Sequence, residues 1–461
     1  MQDRRNQPRR PRIAPLAVIL VLFIFVSGVI SIFSLLPEKA PSASYNPGTV
    51  QTPSDEAGQP PVTGDPDDDT TPTGDEPLRV VSTATVSTQG DLLMHLPVIE
   101  TADKGNDTYD FASVFRYIKE YTESYDYAVA NLETTLAGTK RAYSGYPNFN
   151  CPDGILPSAV AAGYDMLLTA NNHCNDTQWA GISRTLEQTR AAGLKTLGTQ
   201  LNDSEKKYEV VDINGIKVGM LCYTYATGES DDGRPALNGG STVAQVGVVN
   251  FFRENNLQKF YTEVERRLKA MREEGAEITM LYIHWGVEYQ TKENANQRTI
   301  AQKLCDLGVD VIVGGHPHVV QPVDLLESTT DPEHKTVCIY SLGNAVSNQR
   351  RALMNLKTGH TEDGVLFTVT FEKYSDGSVY VADADVLPTW VNMSTVNGQK
   401  EYNILPLDAD KKDQWRTSFN LTASLYEEAV KSYDRTMQIV GDGLTEVQTW
   451  LAQEKTARDA Q

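Results

Sequence analysis

His316 and His318 stand two residues apart in Gly314-Gly315-His316-Pro317-His318, the run that ends the apolar segment 309–313. At a strand exit that spacing can project both imidazoles to one side, toward one metal ion or two adjacent ones. Five of the seven histidines fall in short polar clusters that follow apolar, strand-like runs. Read together, the candidate metal ligands are Asp91, Glu133, Asn172, His173, His284, His316 and His318. Carboxylate, amide oxygen and imidazole form a mixed nitrogen and oxygen set. Such a set suits zinc, manganese or iron(II) better than calcium, which favours oxygen alone. The donors exceed one tetrahedral site and are enough for two divalent ions, with Glu133 placed to bridge. Two ions ~3.5–4 Å apart can bind a substrate oxygen, activate water and stabilise a leaving group.

Each cluster also has a plainer reading. Gly90-Asp91 alone could be a turn, Asn131-Leu132-Glu133 a loop before a helix, and Asn171-Asn172-His173 a helix cap. His284 beside Trp285 could be a packed histidine. The combination favours chemistry, because five separate loops carry ligand-type residues at strand ends.

The elements that must position these residues begin near residue 78. Strand-like runs are predicted at 79–87, 125–130, 164–169, 278–283, 309–313 and 337–340. Helical spacing is found at 111–124, 179–192, 251–274 and 297–307, and in a tail over about 424–439. Hairpins are expected at 208–223, turning on Asn214-Gly215, and at 365–381, turning near Asp376-Gly377. Strands alternating with helices predict an α/β layered fold. Ligands bind at the carboxyl ends of strands in such sheets, so the polar clusters should converge.

Five arginines within residues 1–12 precede 13–36, an uncharged, mostly apolar stretch long enough to cross a bilayer as a helix. A cleaved signal peptide is the alternative, although its apolar core is normally ~7–15 residues. With the arginines kept in the cytoplasm, the expected arrangement is a single-pass cell-membrane protein with its main domain extracellular. Residues 37–77, rich in Pro, Thr and Asp, read as a disordered linker. The domain expectation is therefore a tail (1–12), an anchor (13–36), a linker (37–77), a main domain (78–390) and a C-terminal helical extension (391–461).

The formal charge is −20; the linker carries −8 and the tail +4, leaving −16 on the remainder. So acidic a surface excludes nucleic acid as a partner and repels an anionic polymer except where a metal reverses the local field. The five cysteines (151, 174, 222, 305, 338) form no CxxC pair and read as buried free thiols.

Gly90-Asp91, Asn131-Leu132-Glu133, Asn171-Asn172-His173, His284-Trp285-Gly286-Val287-Glu288, Gly314-Gly315-His316-Pro317-His318 and Ser341-Leu342-Gly343-Asn344 together resemble the CapA (PgsA) family of poly-γ-glutamate capsule synthesis proteins. The similarity runs in order from about residue 80 to 387. That family is in turn similar to calcineurin-like metallophosphoesterases, which implies a four-layer αββα sandwich. The resemblance makes Asp91 a first-motif ligand, Glu133 the bridge, Asn172 the asparagine ligand and His173 the catalytic histidine that assists the leaving group. It makes His284 an isolated ligand, and His316 with His318 the closing pair. One departure stands out: the phosphoesterase motif Asp-x-His has leucine at position 93. His95 could replace the missing histidine only if the chain turned helical after Asp91, because four extended residues span ~13 Å.

Two functions follow. The resemblance implies a membrane-anchored component of poly-γ-glutamate synthesis or export, partnered by the anionic polymer, membrane-embedded capsule synthesis proteins and, through 13–36, the lipid bilayer. The alternative is a free-standing, metal-dependent cell-surface hydrolase of phosphoesters or amides. Arg350 and Arg351 are a further expectation, as a pair able to meet an anionic group near the site.

Overall fold

The computed structural model describes residues 77–396 and 398–460. The tail, the apolar stretch 13–36 and all but the last residue of the linker lie outside these residues, and the anchor and linker expectations lie there with them. Among the described residues no helix is long and apolar enough to cross a membrane.

The chain begins with β1 (Val80–Leu92), α1 (Leu96–Ala102), α2 (Ala112–Phe115), α3 (Lys119–Thr122) and β2 (Tyr127–Asn131). The stretch 111–124, expected as one helix, is two short turns instead. Its aromatic and β-branched residues are weak helix formers, and tertiary contacts such as Phe111 N–H to Ser158 Oγ (3.1 Å) replace the continuous ladder. Then come α4 (Ile155–Ala161), β3 (Met166–Leu168), α5 (Gln178–Ala191) and β4 (Lys195–Leu197). The hairpin β5 (Glu209–Ile213) and β6 (Ile216–Tyr225) turns at Asn214-Gly215 as expected, both residues having positive φ. Three small strands follow: β7 (Gly228–Glu229), β8 (Pro235–Leu237) and β9 (Ser241–Thr242).

After β10 (Phe251–Phe252), the α/β rhythm resumes with α6 (Leu257–Glu273), β11 (Ile278–His284), α7 (Ala295–Asp306) and β12 (Val311–Gly315). Antiparallel pairing then dominates through β13 (Val320–Glu327), β14 (Lys335–Leu342), β15 (Asn344–Val346), β16 (Asp363–Tyr374), β17 (Val379–Val396) and β18 (Gln399–Pro406). α8 (Trp415–Ser418) and α9 (Ala423–Asp459) complete the fold.

An eight-stranded sheet runs β18-β17-β16-β1-β2-β3-β4, with β15 also paired to β1. A seven-stranded sheet runs β10-β6-β11-β12-β14-β13, with β5 paired to β6, and β7-β8-β9 form a third. Side chains of a strand alternate between faces, and each face here enters a different core. Tyr127 and Val129 of β2, with Ile278, Met280 and Tyr282 of β11, join one apolar cluster shared by both large sheets. Ala128 and Ala130 face a second cluster with Val98, Val114 and Ile155 from the helices. Leu281 and Ile283 face a third with Val264, Leu268 and Ile300. Both faces of these strands are buried, which is why they read as unbroken apolar runs. The result is a mixed α/β fold of the metallophosphoesterase-like kind.

The C-terminal segment 391–461, expected as a helical extension, needs correction. β17 runs on to Val396 and pairs with β18, so this segment starts inside the eight-stranded sheet. The helical tail is also longer than expected, continuing through Gly441-Asp442-Gly443 to Asp459. Glycines there suggest a helix end, but a Cβ at Gly443 would stand 1.8 Å from Val323 O. The glycine permits close approach to β13. Beyond it Leu444, Val447 and Leu451 enter the cluster shared by the two large sheets. All five cysteines are buried and free, as expected.

Candidate metal centre

Asp91 lies near the end of β1, Glu133 just after β2, and Asn172 and His173 after β3. His284 closes β11, while His316 and His318 follow β12. Every one of these positions is at the carboxyl end of a parallel strand, where the two large sheets meet their loops. His316 (φ 97°) and His318 (φ 55°) adopt the left-handed region. For residues other than glycine this costs about 1–3 kcal/mol each. The tight turn brings both imidazoles to the same centre.

The donors form two trios whose ligand atoms lie within 4.8 Å of one another: Glu133, His284 and His316, and Asp91, Glu133 and His318. Glu133 is common to both. His284 Nε2 is 3.3 Å from Glu133 Oε1 and 2.8 Å from Asn172 Oδ1. His318 Nδ1 is 3.1 Å from Asp91 Oδ2 and 3.9 Å from Glu133 Oε2. All six ligand candidates are buried, and so is His173.

Burial pushes the Glu133 carboxyl well above the usual range, and the nearby Asp91 adds to the rise. Burial also tends to raise Asp91. There the hydrogen bond and charge of His318, helped by His284 and the Asn131 amide, win and hold it below its ordinary value. Burial, first among the causes, lowers His284 to about 3 and takes His316 well below the usual imidazole range. Neutral imidazole is the form that binds a metal. Both Glu133 oxygens and His316 Nδ1 are buried with no hydrogen-bond partner among the described residues. Buried polar atoms are rarely left unpaired. A carboxylate and an imidazole both orphaned at one point fit a divalent cation.

His173 stands beside the trios. Its Nδ1 is 2.7 Å from Asp176 Oδ2. Asp176 also accepts from Phe149 N–H (2.7 Å) and from Asn238 Nδ2 (2.6 Å). Asn171-Asn172-His173 does not cap α5, whose N-cap is Thr177. His95 joins neither trio: β1 remains extended through Leu92, and His95 is the N-cap of α1. Leu93 is buried in place of the absent histidine, its N–H bonded to Val346 O (3.0 Å). Arg350 and Arg351 are engaged elsewhere, with Glu362 (3.4 Å) and Glu428 (2.7 Å) respectively.

The sequence reading passed over four residues. Asn131 Nδ2 donates to Asp91 Oδ1 at 2.7 Å, though it belongs to a cluster already singled out. Asp176, three residues after His173, was within sight as a turn partner. Tyr225 ends β6 at the same topological position as the ligand loops, its ring 4.8 Å from His316 and parallel to His284 at 6.4 Å. Asn238 comes from the β8–β9 turn and gave no signal.

Comparison with known proteins bears on this arrangement. The family described as "Bacterial capsule synthesis protein PGA_cap" matches residues 85–349, more than half of the chain. Capsule biosynthesis protein CapA of Bacillus anthracis is 27% identical over 270 residues, covering 58% of this chain and 60% of that protein. PGA biosynthesis protein CapA of Bacillus subtilis (strain 168) is 26% identical over 302 residues, covering 64% of this chain and 70% of that protein. The matched part is thus less than two thirds of the first relative's length. Among solved structures, the Thermus thermophilus sulfate thiohydrolase SoxB in complex with glycerol aligns over 77% of this chain and 60% of that one. Its identity is 13% and its TM-score 0.35, too distant to carry an argument.

Proposed function

The chain belongs to the bacterial capsule synthesis family PGA_cap, of the metallophosphoesterase-like superfamily, and from that premise we propose that it serves poly-γ-glutamate capsule synthesis or export through a divalent-metal centre. The observation that carries the metal half is the orphaned Glu133 carboxylate shared by two donor trios. On this reading Asp91, Glu133, Asn172, His284, His316 and His318 would hold two ions of manganese, zinc or iron, Glu133 being common to both donor trios. The ions would supply Lewis acidity and water activation when bound.

The protein groups have separate tasks. Asn131 and His318 keep Asp91 oriented, and Asn172 is set against His284 Nε2. Asp176 fixes His173 through Nδ1, leaving Nε2 to exchange a proton with a bound ligand. The layers seen as separate cores read as the four-layer αββα sandwich that supports such a centre. Residues 13–36 serve as the membrane anchor, with the domain from residue 78 outside the cell beside membrane-embedded capsule proteins and the anionic polymer. A free-standing surface hydrolase is the second reading, favoured by the His173–Asp176 pair.

Metal analysis of the full-length chain purified without chelators, beside a His316→Ala/His318→Ala variant, tests the centre. Bound transition metal in the parent and its loss in the variant are expected, as is failure of the variant to restore capsule in a strain lacking the gene. No metal after reconstitution would overturn the centre. Capsule restored by a metal-free variant would separate the polymer role from it, and an unchanged capsule in the deletion strain would favour the hydrolase.

A further inference from the structure

His95 is the histidine whose place the trios leave unexplained. The Asn348 N–H donates to its Nδ1 at 3.2 Å and has no other acceptor among the described residues. Leu93 O also lies 3.2 Å from Nδ1, but it already accepts the His95 N–H at 2.9 Å. A main-chain N–H can only donate, so Nδ1 is the acceptor and the ring proton sits on Nε2.

His173 is held the opposite way. The Asp176 carboxylate accepts a hydrogen bond from Nδ1–H, which leaves Nε2 bare. Asn238 Nδ2 also lies 3.2 Å from that Nδ1. Its two protons, however, are directed to Pro147 O (3.0 Å) and Asp176 Oδ1 (2.6 Å). The ring of Phe149 stands between the two imidazoles, edge to face with His95 at 5.2 Å and with His173 at 4.7 Å. The loop carrying Phe149 lies directly on His95: a Cβ at Gly145 would be 2.6 Å from Leu96 N and 3.1 Å from His95 Cα. Neither Nε2 has a protein partner among the described residues.

We propose that His95 and His173 form a complementary donor–acceptor pair at the mouth of the centre, His95 donating Nε2–H to a bound oxyanion and His173 accepting a proton at Nε2. His95 is then not a substitute ligand for the histidine absent at position 93 but a group that meets the ligand held there. The oxyanion half rests on the metal reading above; the tautomer half does not.

Histidine-selective 15N NMR on the metal-stripped full-length chain, assigned with His95→Gln and His173→Gln, reads both tautomers directly. The expected result is a proton on Nε2 of His95 and on Nδ1 of His173. The same tautomer in both rings, or a mixture at His95, overturns the pair. Calorimetry on the manganese-loaded chain with inorganic phosphate, and separately with glutamate, tells a phosphoryl from a carboxylate ligand. His95→Phe should weaken the better of the two about tenfold or more, as loss of a hydrogen bond to a charged group does. His95→Gln, which keeps a donor, should recover most of it. Unchanged binding in His95→Phe, or no binding of either anion by the loaded parent, overturns the donor role. A chain that takes up no manganese sinks the metal reading and leaves the tautomers to decide this one.

Discussion

A buried carboxylate without a hydrogen bond destabilises a fold unless a cation answers it, and neither Glu133 oxygen has one among the described residues. Replacement by glutamine keeps the shape and removes the charge. Glu133→Gln should therefore have opposite effects in two states. In chelator its midpoint of thermal unfolding should equal or exceed the parent's, because a neutral amide spares the fold the cost of burying a group that ionises freely only in the unfolded chain. With manganese or zinc added it should lose the ligand common to both trios, retain under about a tenth of the parent's metal, and gain no stability by mass action. Full metal content in the variant would remove Glu133 from the centre. The ligand types could be read from sequence because each follows an apolar strand-like run. Asn238 could not: it meets His173 across 65 residues through a small sheet whose two- and three-residue strands have no periodicity to read.

At the scale of elements, α9 shows how tertiary contact overrides local signals. From sequence its end is expected near Ile439, yet the helix continues because its far half fills the space between the sheets. The layered alternation of strands and helices and the two hairpins were legible from period and turn chemistry, whereas the pairing of two sheets came only with the family resemblance. The length of β17 and the start of β18 were not, since strands of mixed polarity at and beside a sheet edge resemble loops. α9 is tied down at its near half by Asp363, which accepts from Arg435 Nε (2.8 Å), Arg435 Nη2 (2.7 Å) and Ser432 Oγ (2.6 Å). Burial raises Asp363 to about 6, with the Arg435 and Ser432 contacts pulling the other way. A carboxyl raised above its unfolded value of about 3.9 contributes fully below that pH and loses its contribution as pH rises through the folded value. Without Arg435 the effect of burial is less opposed and the loss extends to higher pH. Arg435→Ala should cost about 3 kcal/mol near neutrality, the low end for breaking a buried pair because Arg435 keeps some solvent contact. The deficit should shrink toward about pH 4. Denaturant unfolding from about pH 4 to 7.5 checks this, and a deficit independent of pH would mean that Asp363 does not titrate with the fold.

The whole molecule sets a condition on any polymer it handles. The chain carries a formal −20, of which −16 lies beyond the linker, while poly-γ-glutamate is itself a polyanion. On the proposed reading, protein and polymer would repel each other at long range, and the metal centre would be the local exception. Salt shortens the range of that repulsion, from ~30 Å at 0.01 M to ~10 Å at 0.1 M. Direct contacts at the centre, desolvated and short, are screened less. Association of the metal-loaded full-length chain with poly-γ-glutamate should then speed up several-fold between about 0.02 and 0.2 M salt, the reverse of the slope expected of a basic binding track. Chelation should abolish binding at every salt concentration, because only repulsion would remain. Stopped-flow or surface-binding rates with the polymer decide between the two. A rate that falls with salt, or binding that survives chelation, would show that the polymer is held by surface cations instead of the centre at the strand ends.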